Sequence, residues 1–200
     1  MSSSIDAAGE TRPFVRRAWM SAIALALLQT GILLSIIVGH ATILRSGTEV
    51  LLKAAPVDPR DLLRGDYVIL NYDISRVPVA TLVGARPATD GQQTLAVRLR
   101  KQPDGYWGIA ESSFEPLAAM ADTVVIDSQP FDYRPSTDID TIRVDYGIES
   151  YYVPEGEGRD LEQAPADGRL AIAASVSAGG TAQIKSLLLD GKPVYDEPLY

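Results

Sequence analysis

The fold of this chain is indicated most strongly by the octapeptide Gly65-Asp66-Tyr67-Val68-Ile69-Leu70-Asn71-Tyr72. Its glycine readily adopts the left-handed conformation that ends a helical turn. From Asp66 onward the side chains alternate between two faces of an extended strand, with Val68, Leu70 and Tyr72 on one face and Tyr67, Ile69 and Asn71 on the other. Because both faces carry large apolar groups, we predict a strand that is covered on both sides over part of its length.

The segment before the octapeptide, residues 56–64, reads Pro-Val-Asp-Pro-Arg-Asp-Leu-Leu-Arg. Asp58 is a suitable helix N-cap, and Pro59 fits the first helical position, where a missing N–H is harmless. Asp61 places negative charge at the positive end of the helix dipole. We therefore predict one or two helical turns over residues 59–64, ending at Gly65. A further short helical segment is predicted over residues 159–163.

A long apolar segment lies nearer the N-terminus. Residues 18–44 contain no Asp, Glu, Lys or Arg, and the 20 residues from 19 to 38 are almost all apolar. A helix rises about 1.5 Å per residue, so this length spans ~30 Å, the thickness of a bilayer core. A cleaved signal peptide is the alternative, but its apolar region is usually shorter, about 7–15 residues. We predict an uncleaved transmembrane anchor over residues 18–44.

The charges beside the anchor predict its orientation. Arg12, Arg16 and Arg17 precede it, whereas Arg45 follows it, with Lys53 further on. An excess of positive charge is typical of the cytoplasmic side. Residues 1–17 are therefore predicted to be a cytoplasmic tail. Residues 46–200 are then predicted to lie outside, which in a bacterium means a periplasmic domain attached to the inner membrane by a single span.

The composition of the outer domain excludes several classes of partner and chemistry. From Ser46 onward the chain has 14 Lys and Arg residues against 24 Asp and Glu residues, a balance of −10. This charge argues against nucleic acid and against an anionic membrane surface as partners. Since the chain has no Cys, disulfides, thiolate nucleophiles and Cys-based metal sites are excluded.

Strand patterns dominate the outer domain. In residues 93–101 an apolar set, Leu95, Val97 and Leu99, alternates with Arg98 and Arg100. Residues 139–153 read as one long strand, with Ile142, Val144, Tyr146 and Ile148 on one face. Asp190-Gly191 is a strong two-residue hairpin signal. Roughly eight or nine strands with Gly and Pro turns predict an all-β domain, an antiparallel barrel-like or sandwich architecture with short helical turns.

The chain resembles the bacterial GDYXXLXY proteins, which are membrane-anchored and are named for the octapeptide. The fixed motif positions are Gly65, Asp66, Tyr67, Leu70 and Tyr72. Residues 56–64, 146–158 and 187–193 are also similar to the family. The resemblance implies no reaction. Genes of the family are expected beside genes for multi-pass membrane proteins, which implies a membrane protein as partner.

The inventory of catalytic residue types is poor. The only His is His40, at the outer end of the anchor, so a Ser-His-Asp triad and a His-based metal site are not expected. Gly65-Asp66-Tyr67-Val68 is similar to a step in membrane-anchored signal peptidases, but residues 51–64 contain no Ser that could act as nucleophile. We predict no catalytic, cofactor-binding or metal-binding residue, and no cofactor.

Two groups of residues remain candidates for interaction. The first group, at the octapeptide, is Arg64, Asp66 and Tyr67; the second, in the acidic segment, is Glu149, Glu155 and Glu157. Arg and Tyr are frequent anchors at protein interfaces, whereas the charges around the octapeptide also fit a structural ion-pair network. The acidic segment from Glu149 to Glu162 is open to three interpretations: a solvated loop, a Ca²⁺ site, or paired carboxylates for acid–base work.

Small residues follow one face of the anchor. Gly31, Ser35 and Gly39 are spaced by four residues, a pattern that lets membrane helices approach closely. They predict a homodimer or docking to a multi-pass membrane protein. The leading hypothesis is thus an inner-membrane protein whose periplasmic domain is a non-catalytic accessory or interaction module. The alternatives are a cell-envelope hydrolase and a small-ligand-binding module, both using residues 149–162.

Overall fold

The computed structural model describes residues 12–55, 67–135, 139–152 and 170–197. The chain divides into two compact units, Met1–Ala41 and Thr42–Tyr200. The predicted helical turns at 59–64 and 159–163 lie outside the described residues.

The N-terminal part of the chain is a single helix, α1, Arg12–Ser46, of 35 residues. Its segment Arg17–Ser46 is long and apolar enough to cross a membrane, and none of the apolar window is buried by the residues that the structure describes. Large side chains such as Trp19, Leu27 and Ile36 are each more than 60 % exposed. Arg45 in the last turn complements the negative end of the helix dipole.

After α1, the regular structure in the described part of the chain is almost entirely strand. The strands in the described residues are β1 Thr48–Ala55, β2 Tyr67–Ile69, β3 Asn71–Tyr72, β4 Arg76–Pro78, β5 Gly91–Gln93, β6 Ala96–Lys101, β7 Trp107–Ser113, β8 Thr123–Asp127, β9 Phe131–Tyr133, β10 Thr141–Arg143, β11 Ser150–Tyr152, β12 Leu170–Val176, β13 Ala182–Leu189 and β14 Lys192–Asp196. Two single turns of 3₁₀ helix, Asp73–Ser75 and Val79–Thr81, lie on either side of β4.

The largest sheet has the strand order β14-β13-β12-β1-β3, and all its pairs are antiparallel. All seven residues of β12 are buried, as expected of a central strand that is covered on both faces. The turn between β13 and β14 has positive φ at Asp190 (52°) and Gly191 (75°). Positive φ at both central residues defines the favoured two-residue hairpin turn, so the predicted hairpin is confirmed.

A second sheet, β7-β6-β8, and three two-stranded ladders complete the domain. One continuous core joins the sheets, with fully buried side chains that include Val50, Leu52, Leu99, Ile126 and Ile172. The described sheets are open at their edge strands β14 and β3 rather than closed into a barrel. The predicted all-β class is confirmed, and of the two architectures named for it the sandwich-like one fits.

The predicted long strand over residues 139–153 was wrong as a single strand. The structure has β10 and β11, separated by a turn in which Gly147 has φ +82°. The predicted apolar face is nevertheless buried, because Ile142, Val144, Tyr146 and Ile148 are each at most 5 % exposed. Alternation of apolar side chains therefore identified the buried face but not the break in the ladder.

Candidate functional site

The motif strand changes its pairing partner at Leu70. Before this residue β2 pairs with β11, and after it β3 pairs with β1. Leu70 belongs to neither strand; its side chain is fully buried and its N–H donates to the carbonyl oxygen of Glu149 at 2.7 Å. The second half of the octapeptide thus joins the segment after Tyr146 to the main sheet.

Two buried tyrosines tie the motif strand and the segment after β10 to each other. The hydroxyl of Tyr72 donates to the carbonyl oxygen of Ile148. In return, the hydroxyl of Tyr146 donates to the carbonyl oxygen of Ile74 at 2.8 Å. We call this reciprocal pair the tyrosine clamp. Burial, and secondly the charge of Glu149, raise the pKa of both phenols, so both remain neutral donors at physiological pH.

Glu149 caps its own turn. Its carboxylate accepts hydrogen bonds from the N–H of Tyr146 at 2.5 Å and from the N–H of Gly147 at 2.8 Å. The left-handed conformation of Gly147 places successive N–H groups on the same side, which suits a bound anion. Partial burial raises the pKa of Glu149 and the charge of Asp145 adds to this, while the backbone donors act in the opposite direction.

The structure brings together only some of the predicted site residues. Tyr72 is a member of the tyrosine clamp, and Glu149 lies near enough for its charge to act on the Tyr72 phenol. The backbone of Tyr67 pairs with Tyr152. The other predicted residues, Arg64, Gly65, Asp66, Glu155 and Glu157, lie outside the described residues. Where the arrangement is described, the polar side chains of Tyr72, Tyr146 and Glu149 bind main-chain atoms.

The small residues of the anchor lie in α1 as predicted from their spacing. A side chain placed at Gly31 or Gly39 would meet no atom within 4 Å. The hydroxyl of Ser35 donates to the carbonyl oxygen of Ile32, one turn earlier in the helix, at 2.8 Å. In the described part of the chain, the His, Asp and Glu side chains form no group of three that could hold a metal ion.

Sequence reasoning missed a cleft of about 320 Å³ beside the motif strand. Its lining includes Lys53, Tyr72, Arg76, Tyr106 and Trp107. The ammonium group of Lys53 lies 5.1 Å from the ring centre of Tyr106 and 3.9 Å from a carboxylate oxygen of Asp104. The approach of the turn at residues 102–105 to β1 depends on the pairing of distant strands.

Comparison with known proteins gives one match. The family model described as GDYXXLXY protein matches residues 29–187, from the middle of α1 to β13. Searches of curated proteins and of solved structures each returned no match. The family match covers most of the chain and contains the octapeptide, the tyrosine clamp and Glu149. The chain therefore belongs to the GDYXXLXY family.

Proposed function

We propose that this chain is a single-pass protein of the bacterial inner membrane, with residues 46–200 in the periplasm. The observation that carries the proposal is the apolar surface of α1, which no described residue covers. Exposing such a surface to water is unfavourable, whereas lipid covers it. The arginines before the apolar segment of α1 support a cytoplasmic tail, and the family match begins within α1, which supports a retained helix.

A pair of alkaline phosphatase fusions tests this topology. A fusion after Tyr200 is expected to be active, because the enzyme folds correctly only outside the cytoplasm. The matched control is a fusion after Arg17, which contains the tail without the apolar helix and is expected to be inactive. An inactive fusion at Tyr200, with the protein present in the membrane fraction, would contradict the orientation.

We further propose that the periplasmic domain is a non-catalytic interaction module that acts with a multi-pass membrane protein. Support comes from the clamp region, where Tyr72, Tyr146 and Glu149 bind main-chain atoms. Side chains engaged in this way stabilise a surface and are not poised for proton transfer. The face of α1 that carries Gly31 and Gly39 is open, which suits close approach of another membrane helix.

Site-specific photocross-linking in native membranes tests the partner. A cross-linking amino acid at Ser35 is expected to capture a multi-pass protein. The same amino acid at Leu33 is the control, because two residues correspond to about 200° around a helix and place it on the opposite side. Capture of a second copy of this chain would replace the proposed partner with a homodimer. Equal capture at both positions, or none, would contradict a specific helix face.

A second candidate function is binding of a small polar ligand, favoured by the cleft between Lys53 and Trp107. It combines aromatic rings with charges of both signs, as orienting sites for polar ligands do. The cleft differs from the site expected at residues 149–162, and the carboxylate of Glu149 already accepts two backbone hydrogen bonds.

Titration of a Trp19→Phe chain with cell-envelope glycan fragments is expected to change Trp107 fluorescence, and Lys53→Met is expected to weaken the response. An unchanged signal would contradict this function.

A further inference from the structure

An exposed apolar loop follows β7. Residues 116–121 read Pro-Leu-Ala-Ala-Met-Ala, and all of them except the half-buried Leu117 are exposed. Met120 is 52 % exposed, which is more than any other large apolar side chain among the described residues outside α1. Single exposed apolar residues are common on protein surfaces, but five exposed apolar residues within a run of six form a patch, which is typical of a contact site.

The loop is held in a defined conformation by a buried arginine. Arg98 in β6 is 3 % exposed. Its guanidinium donates to the carbonyl oxygen of Ala118 at 2.7 Å, to the hydroxyl of Thr123 at 3.1 Å and to Glu111 at 2.6 Å. The hydroxyl of Thr123 in turn donates to the carbonyl oxygen of Met120 at 2.8 Å. Hydrogen bonds from Arg98 and Thr123 therefore fix the backbone of the loop, while its apolar side chains remain on the surface.

The loop lies beside the residues that follow the apolar helix. Leu117, Ala119 and Met120 line one groove of about 300 Å³ together with Ser46 and Thr48. All of these residues belong to the same compact unit. Ser46 is only two positions beyond the charge-free segment that ends at Leu44. Because Leu44 is itself buried in this unit (5 % exposed), the chain leaves the bilayer before Leu44, and the groove lies only a few residues of chain beyond that exit.

We propose that the loop at residues 116–121 contacts the surface of the membrane in which α1 is anchored. The proposal rests on the membrane-spanning α1 of the proposed function. Apolar side chains of this kind enter the boundary between headgroups and acyl chains. The exposed carboxylates of Glu115 and Asp122 flank the loop and favour water, so the contact is confined to the loop tip. The same two charges disfavour an anionic surface and favour zwitterionic lipid.

The absence of cysteine from the sequence permits a direct test on the full chain. Met120→Cys, Val194→Cys and Ile32→Cys are each labelled with an environment-sensitive fluorophore in phosphatidylcholine vesicles. A fraction of the lipid carries a spin-label quencher. Val194 is the matched control, because it is an exposed apolar residue (46 %) on β14. Its neighbours Pro193 and Tyr195 pair with Leu188 and Leu187, which lie toward the far end of the sheet from Thr48.

The expected result is a blue-shifted emission and loss of intensity by lipid quenching at Met120 and Ile32, with neither change at Val194. Quenching at Ile32 without quenching at Met120 would overturn the loop contact and leave the anchor in place. Absence of quenching at Ile32 would overturn the membrane-spanning helix itself. A blue shift at Met120 without lipid quenching would indicate a protein contact and would also overturn the proposal. Ala119→Cys repeats the measurement at a second loop position.

Discussion

The two ends of the β-domain are stabilised in different ways, although β1 connects them directly. At one end Thr48 pairs with Val176, and at the other Ala54 pairs with Tyr72. The six residue steps from Thr48 to Ala54 correspond to about 20 Å of strand. We call the first region, which includes Arg98, Ser175 and Gly180, the helix end. The second region, which contains the tyrosine clamp and Glu149, is the motif end.

At the helix end a charged side chain joins several elements. The guanidinium of Arg98 bonds to β7, to β8 and to the apolar loop between them. The hydroxyl of Ser175 in β12 donates to the carbonyl oxygen of Ile43 at 2.6 Å. At the motif end the two bonds of the tyrosine clamp are neutral, because tyrosine hydroxyls donate to carbonyl oxygens. The carboxylate of Glu149 binds N–H groups within three residues of itself.

This difference sets the expected order of mutational effects. Removing one member of a buried charged network leaves an uncompensated charge, which costs more than losing one neutral hydrogen bond. The helix end is therefore expected to be more sensitive to single substitutions than the motif end. The predictions below test this order by urea denaturation of the full chain in detergent micelles, with Trp107 fluorescence as the signal in a Trp19→Phe background.

Arg98→Met is expected to produce the largest effect, a loss of about 3 kcal/mol in the free energy of unfolding. Methionine fills the volume but leaves the Glu111 carboxylate without its cation and the Ala118 carbonyl without its donor. Arg98→Lys is the control: it keeps the charge but not the three-way geometry of the guanidinium, and an intermediate loss is expected. An Arg98→Met chain as stable as the parent would contradict the expectation that the helix end is more sensitive to substitution than the motif end.

Gly180→Ala at the helix end is expected to cost about 2 kcal/mol, because a residue other than glycine is strained in the left-handed region. Gly180 has φ +81°, and an added Cβ would lie 2.5 Å from a carboxylate oxygen of Asp127. Gly191→Ala is the matched control, since Gly191 has φ +75° but open space around it. That variant should show the conformational strain alone, about 1 kcal/mol. Equal losses would show that the contact with Asp127 contributes nothing.

The difference between local signals and contacts across distant strands explains which features the sequence could predict. Apolar alternation identified the buried side chains Ile142 and Ile148, and Asp190-Gly191 identified a hairpin, because these signals are local. The pattern placed Arg98 opposite an apolar face, yet its side chain is buried. Its partners Glu111 and Thr123 lie on other strands, so only tertiary structure reveals them. The break at Gly147 was missed for a similar reason: Tyr72 reaches Ile148 across 76 positions of the chain.

Tyr72→Phe and Tyr146→Phe at the motif end are each expected to cost about 1–2 kcal/mol, because each leaves a buried carbonyl without its donor. Tyr106→Phe is the control: its ring lies under Lys53 at the cleft surface, and a change within about 0.5 kcal/mol is expected. The double variant tests whether the clamp is cooperative. If its loss equals the sum of the single losses, the two hydroxyls act independently.

The smallest effect is expected from Glu149→Gln, and it is a change in pH dependence. Burial raises the pKa of Glu149 above its ordinary value of 4.5. Between the ordinary and the raised value the folded chain holds more of this proton than the unfolded chain. The free energy of unfolding contributed by Glu149 therefore falls as pH rises through this window. The glutamine variant, which cannot titrate, should lose this slope when urea denaturation is repeated at a series of pH values.

The contribution of Asp127 to the pH dependence must be separated from that of Glu149 in the same experiment. Burial raises the pKa of Asp127 as well, so its contribution to the free energy of unfolding also falls as pH rises. The control is Asp127→Asn, which is expected to remove the helix-end contribution and keep that of Glu149.

The Glu149 slope also decides between two opposing causes. Burial disfavours the carboxylate, whereas the N–H groups of Tyr146 and Gly147 favour it. If Glu149→Gln removes a slope in which stability rises with pH, the backbone donors outweigh burial, and the turn is an anion-binding site filled by its own chain.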